Sequence, residues 1–154
     1  MTSRRDFLIA TGSFAGGVGL AGSSRDVDAT PAAMQDALRK VAGNATIRRG
    51  RVKLDLPPLI DNGNAVPMTV SVESPMTPAD YVKAIHVVTE KNPQPNVVSV
   101  FLGPRAGRAG LRTRVRIADT QTVTAVAELS DGTFWSGTAD VVVTLSACLE
   151  EGLI

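Results

Sequence analysis

The sequence contains one cysteine, Cys148, within Ser146-Ala147-Cys148-Leu149-Glu150-Glu151 close to its C-terminal end. The thiolate is the reactive form of that side chain. With an ordinary pKa of about 8.5, only a few per cent of a free thiol is thiolate at neutral pH, so a partner must activate it or bring it an electrophile. A thiol just past the last strand pattern is sterically open to large partners. The plainer alternative is a half-buried cysteine packing as a small hydrophobe. A single cysteine forms no internal disulfide, so the fold must rest on its core; were the chain exported, a leftover thiol would point to intermolecular pairing or to a reactive group.

Other chemistry-bearing residues are sparse. His86 is the only histidine. With Met68 and Met76 it offers copper a thin ligand set, since blue-copper sites take two histidines and a cysteine, and a strand histidine on the less buried face is the expected reading. The stretch GPRAGRAG at 103 to 110 matches neither G-x-G-x-x-G nor G-x-x-x-x-G-K-[ST], and a hairpin connection accounts for its glycines. Arg105, Arg108, Arg112, Arg114 and Arg116 gather positive charge locally, as a solvated face or as a patch that steers anions or an acidic partner. Asp55, Asp61 and Asp80 form no motif, and one histidine leaves little scope for a Ser-His-Asp set. No catalytic residue, metal ligand or cofactor is assigned.

The elements that would position Cys148 follow from the patterning. The chain has 154 residues, 44% of them hydrophobic but only six aromatic, and Val, Ala and Thr carry much of the small and apolar content, which favours strands. Its 16 basic and 15 acidic residues give no global field suggestive of nucleic acid or a membrane surface. Arg4 and Arg5 precede a mild apolar stretch, Phe7 to Ala21, broken by Gly12, Gly16, Gly17 and Gly19. This resembles a twin-arginine export signal, and it is short of the roughly 20 predominantly apolar residues of a membrane span. Residues 1 to 29 are therefore expected to be a signal and linker, with a single domain over 30 to 154 that reaches an oxidising compartment, the periplasm.

Thr30 offers an N-cap hydroxyl, Pro31 suits a first helical turn, and Met34, Ala37, Leu38 and Val41 recur at helical spacing before Gly43, predicting a helix over 31 to 42. After that the period changes to two. Strands are expected at 51 to 56, 66 to 73, 81 to 90, 97 to 102, 111 to 117, 122 to 129, in a short Thr133-Phe134-Trp135 piece, and at 140 to 146. In the fifth of these, Leu111, Thr113, Val115 and Ile117 point inward and three arginines outward. The expected fold is all-β, an immunoglobulin-like β-sandwich of seven or eight strands with one short N-terminal helix.

Several stretches together resemble one family: VKLDLPPLIDNGNAVPMTVSVESPMT at 52 to 77, YVKAIHVVTEKNPQPNVVSVFLGPRAG at 81 to 107, TRVRIADTQTVTAVAELSDGTFW at 113 to 135, and a terminal strand leading to a lone cysteine. They are similar to SoxY, the sulfur-carrier subunit of the thiosulfate-oxidising Sox system. The resemblance implies a non-enzymatic carrier in a heterodimer with a SoxZ-like subunit, with Cys148 as the point of covalent sulfur attachment. It further implies three kinds of partner: a c-type cytochrome complex that loads thiosulfate, a hydrolase that releases sulfate, and a dehydrogenase that oxidises the remaining sulfane sulfur. The family tail is typically Gly-Gly-Cys-Gly, whereas here Ser146 and Ala147 precede the cysteine and Leu149, Glu150 and Glu151 follow it. Bulk at Leu149 narrows the clefts the tail can enter. The two carboxylates disfavour a thiolate and repel an anionic sulfur compound, with salt weakening both effects. A non-covalent interaction subunit that has lost sulfur carriage is the alternative reading.

Overall fold

A computed structural model describes residues 30 to 144. The expected signal and linker, residues 1 to 29, and the tail carrying Cys148 lie outside the described residues.

The helix α1 spans Pro31–Ala42, with Thr30 Oγ1 accepting the Ala33 N–H at 3.2 Å and Pro31 in the first turn. It stops at Gly43, whose N–H donates to Arg39 O at 2.8 Å from a left-handed φ of 60° that a Cβ would strain. Arg39 and Lys40 in the last turn complement the carbonyl end of the helix dipole.

Nine strands follow: β1 (Ile47–Arg49), β2 (Val52–Asp55), β3 (Leu59–Ile60), β4 (Val66–Val72), β5 (Val82–Thr89), β6 (Asn96–Phe101), β7 (Gly110–Val115), β8 (Gln121–Leu129) and β9 (Phe134–Val143). They build two sheets. The larger runs β1-β9-β8-β5-β6, with β3 added to the far end of β9; the smaller runs β2-β4-β7. Setting aside β1 and β3, of three and two residues, leaves seven strands of four or more, the sandwich that the patterning predicts.

Inward residues of both sheets, among them Met68, Val70, Ile85, Val87, Val123, Ala125 and Val141, form one buried core. Helix α1 covers the other face of the large sheet, where Leu38, Val41 and Ala42 pack with Ile47, Val126 and Phe134. Strand β8 is thus covered on both sides, and Val123 to Ala127 are all buried, Thr124 among them.

The structure corrects two local expectations. The two pieces expected at 133 to 135 and 140 to 146 are one ten-residue strand, β9, because Gly137 continues the strand instead of breaking it. There β2 crosses so closely that a Cβ on Gly137 would lie only 2.2 Å from Val52 O, so any larger residue would force β2 away from β9. Secondly, residues 103 to 110 do not close a hairpin. They carry the chain from β6 on the large sheet to β7 on the small one, through a single 3-10 turn at Pro104–Ala106 and a left-handed Gly107.

Candidate functional site

The strand that leads toward Cys148 is held at its end by the loop that precedes β4. Pro57 and Pro58 impose an extended backbone, which lets Leu59 and Ile60 pair in parallel with Val142 and Val143. Val142 N–H donates to Pro58 O at 2.9 Å, and Val143 N–H donates to Thr120 Oγ1 at 3.0 Å. Thr144, the last described residue, donates its N–H to Ile60 O at 2.9 Å, while its hydroxyl lies 3.3 Å from Ile60 O and 3.1 Å from Asp61 O. The loop is fixed in turn by Asn62 Oδ1, which accepts the Asn64 N–H at 2.9 Å, and by Gly63 O, which accepts the Ile117 N–H at 2.8 Å.

The last described residue, Thr144, is therefore an anchored root. Cys148 lies outside the described residues, but it is four residues beyond Thr144. At about 3.3–3.6 Å per extended residue, its Cα reaches at most ~14 Å from that root. Beside the root, Leu59 and Val142 are register partners, 59% and 50% exposed, and form a small apolar surface.

A buried polar hub supports this end of the molecule and was not legible in the sequence. Asn92 Nδ2 donates to Arg116 O at 2.8 Å, and its Oδ1 accepts from Ala118 N–H and Gln121 Nε2, both at 2.9 Å. Gln121 Oε1 then accepts the Lys91 N–H at 2.7 Å. The hub ties the loop after β5 to the loop before β8, which supplies Thr120. An asparagine and a glutamine in polar loops give no sequence signal for such a role; only the fold brings them together.

His86 lies elsewhere, on the helix-covered face of β5. Its Nδ1 is 2.8 Å from Ser99 Oγ, and Phe101 meets it edge-on at 5.9 Å between ring centroids. Burial pushes its pKa below the ordinary 6.5, with the Glu128 carboxylate pulling weakly the other way. The ring borders a groove of about 780 Å³ between α1 and the large sheet, lined also by Ala37, Val41, Pro95, Phe101 and Glu128. Met68 is in the core between the sheets, and Met76 is buried with its Sδ 3.4 Å from Val82 N. The fold thus does not bring the three copper-ligand candidates together, and no group of three or more His, Cys, Asp or Glu among the described residues is placed to hold a metal ion.

Arg105, Arg108, Arg112, Arg114 and Arg116 are all exposed, and none is in an ion pair among the described residues. Asp55 stands opposite Thr69, Asp61 lends its carbonyl to the tail root, and Asp80 closes a turn with Thr77. No helix among the described residues is long and apolar enough to cross a membrane.

Comparison with known proteins bears on this arrangement directly. The family model described as sulfur oxidation protein SoxY matches residues 38 to 148, a span that ends on the cysteine. Among solved structures, the sulfur carrier protein SoxY from Chlorobium limicola f thiosulfatophilum is 25% identical, with a TM-score of 0.63 over 74% of this chain and 98% of that one. A superoxide reductase (neelaredoxin) from Ignicoccus hospitalis shares the fold at 16% identity and a TM-score of 0.54, over 79% of this chain and 98% of that one. A putative superoxide reductase from Thermotoga maritima does so at 16% identity and 0.52, over 64% and 87%. No curated protein matches the sequence. With more than two thirds of its length matched by the family model, and a SoxY structure similar along nearly its whole extent, the chain belongs to the SoxY family of sulfur oxidation proteins.

Proposed function

We propose that this protein is a periplasmic sulfur carrier, exported through a twin-arginine signal within residues 1 to 29, that holds sulfur intermediates covalently on Cys148. It has no catalytic residues of its own and is acted on by others. A SoxZ-like subunit pairs with it as a heterodimer, and a c-type cytochrome complex, a sulfate-releasing hydrolase and a sulfane dehydrogenase act on the loaded tail in turn.

The Cys148 sulfur forms a disulfide bond with the outer sulfur of thiosulfate, the thiol proton passes to water, and two electrons leave one at a time to the cytochrome haems. Hydrolysis of the sulfur–sulfonate bond then consumes one water, releases sulfate and a proton, and leaves a persulfide on Cys148. The protein's own contribution is reach and retention. A tether keeps the cargo at high effective concentration near each partner, and the intermediate does not diffuse away.

The observation that carries this reading is the family match running as far as Cys148 itself. The anchored Thr144 supports it by giving the tail a fixed origin. The test is thiosulfate-dependent reduction of the cytochrome by the reconstituted set: it should proceed with the natural chain and stop with Cys148→Ser. Equal electron flow with Cys148→Ser defeats the proposal.

A second reading is favoured by Leu149, which stands where the resemblance leads one to expect glycine, and by the carboxylates of Glu150 and Glu151 after it. It makes the chain a non-covalent interaction subunit. Partner binding would then be retained in Cys148→Ser, and thiol labelling of the folded protein would be slow.

A further inference from the structure

We propose that the free edge of β6 is a docking site for an extended, carboxylate-bearing strand of a partner protein, a role separate from sulfur carriage. Apart from β3, whose two residues are too short to template a strand, the two sheets offer four edges at the ends of their strand orders: β1 and β6 on the large sheet, β2 and β7 on the small one. Three of these are guarded by charge: β1 by Arg48 and Arg49, β2 by Lys53 and Asp55, β7 by Arg112 and Arg114. Proteins keep edges from pairing with foreign chains in this way. Strand β6, Asn-Val-Val-Ser-Val-Phe, carries no charge and no proline, and ends in Phe101, which is 77% exposed.

The backbone of that edge is open for pairing. Leu102 N–H donates to Lys83 O at 2.8 Å, which makes Ala84 and Phe101 a non-hydrogen-bonded pair within the β5–β6 ladder. The same alternation turns the N–H and C=O of Phe101 and Ser99 away from β5. A bulge opposite Val87 and Val88 confines the irregularity to the start of β6, so Val98 to Phe101 remain regular. Unsatisfied main-chain donors and acceptors in register specify a strand as the occupant.

Grooves lie on both sides of this edge, matching the alternating side chains of an added strand. Toward α1 is the groove of about 780 Å³, lined by Phe101, Pro95 and Val41 together with the charged Asp36, Lys40 and Glu128, whose apolar part can take the apolar side chains of an added strand. Toward the small sheet is another of about 530 Å³, bordered by Val97 and Val98 on β6 and by Arg114 and Arg116 across the gap. Those two guanidinium groups are exposed and have no ion pair among the described residues. The occupant that fits both sides alternates apolar residues with carboxylates. A second copy of this chain fits poorly, because pairing β6 with β6 brings two sets of these arginines together.

The test uses a short fluorescein-labelled peptide of alternating valine and glutamate, and its valine–lysine counterpart, titrated with the folded protein. The glutamate peptide should bind saturably and the lysine peptide should not, and Arg114→Glu with Arg116→Glu should reverse that preference. Phe101→Pro removes only an outward N–H, so it should keep the fold while weakening binding by about tenfold relative to Phe101→Ala. Should Phe101→Pro fail to fold, Phe101→Lys, which places a charge on the edge, carries the same expectation. Three results overturn the proposal: no saturable binding of the glutamate peptide, equal binding by the proline or lysine variant and by Phe101→Ala, or self-association of the unliganded protein that these variants abolish.

Discussion

Removing residues 145 to 147, so that Cys148 follows Thr144 directly, tests whether the tail works by reach. Thr144 is fixed through its N–H and hydroxyl to the carbonyls of Ile60 and Asp61, so the tail can extend only from that point. Four residue steps give the cysteine Cα a radius of about 13–14 Å, and the deletion leaves one step of about 3.8 Å. The cysteine is then confined to within one residue step of Thr144, and a partner must approach the sandwich itself to touch it. A tether too short to span loses its effective-concentration advantage almost entirely, so loading by the cytochrome complex should fall by at least about tenfold. Two controls isolate reach. A small alkylating reagent, which needs no docking to the sandwich, should label the shortened protein within about twofold of the natural rate. Replacing residues 145 to 147 by three glycines should restore loading, since length is kept. The assay is the rate at which thiosulfate-dependent mass appears on the intact protein. A shortened chain that loads at the natural rate refutes the reasoning.

Gly137→Ala should destabilise the fold by about 1–3 kcal/mol, read from denaturant unfolding, because the new Cβ meets Val52 O and β2 must move away from β9. The His86 pKa is lowered by burial, so the folded state resists protonation. Stability should therefore be full above the ordinary value of 6.5, decline as pH falls through it, and level off below the folded pKa, and His86→Phe should flatten that step in a Tm series. Asp119 and Asp131, held low by hydrogen bonds from Lys91 and Thr133, lose their contribution only as pH falls below about their ordinary 3.8, which keeps the histidine step separate. Replacing Leu149, Glu150 and Glu151 by glycine should speed thiosulfate loading, with the gain shrinking as salt rises because the removed charges act through solvent. A gain independent of salt would assign the effect to Leu149 alone.

Much of the fold was legible because local chemistry and the global packing agree. Thr30, Pro31 and Gly43 mark the ends of α1 residue for residue, and the alternation in β4 and β7 follows from each having one buried face. What stayed hidden depends on distant partners. Strands β1 and β3 are too short to show a period and exist because β9 offers them an edge. Gly137 reads as a breaker until β2 is seen crossing over it. The route of residues 103 to 110 between sheets has the same glycines as a hairpin would. Cys148 stood out by type and position alone, whereas its anchored root did not. Thr144 and Ile60 are 84 residues apart, and nothing in either local sequence announces the bond between them.

Intact-mass measurement with peptide mapping, after incubation with thiosulfate and the cytochrome complex, addresses the central claim most directly. The account predicts a sulfur-containing increment on the peptide bearing Cys148, removed by reductant and absent from Cys148→Ser. An unmodified Cys148 peptide in protein that the partners demonstrably bind would contradict it.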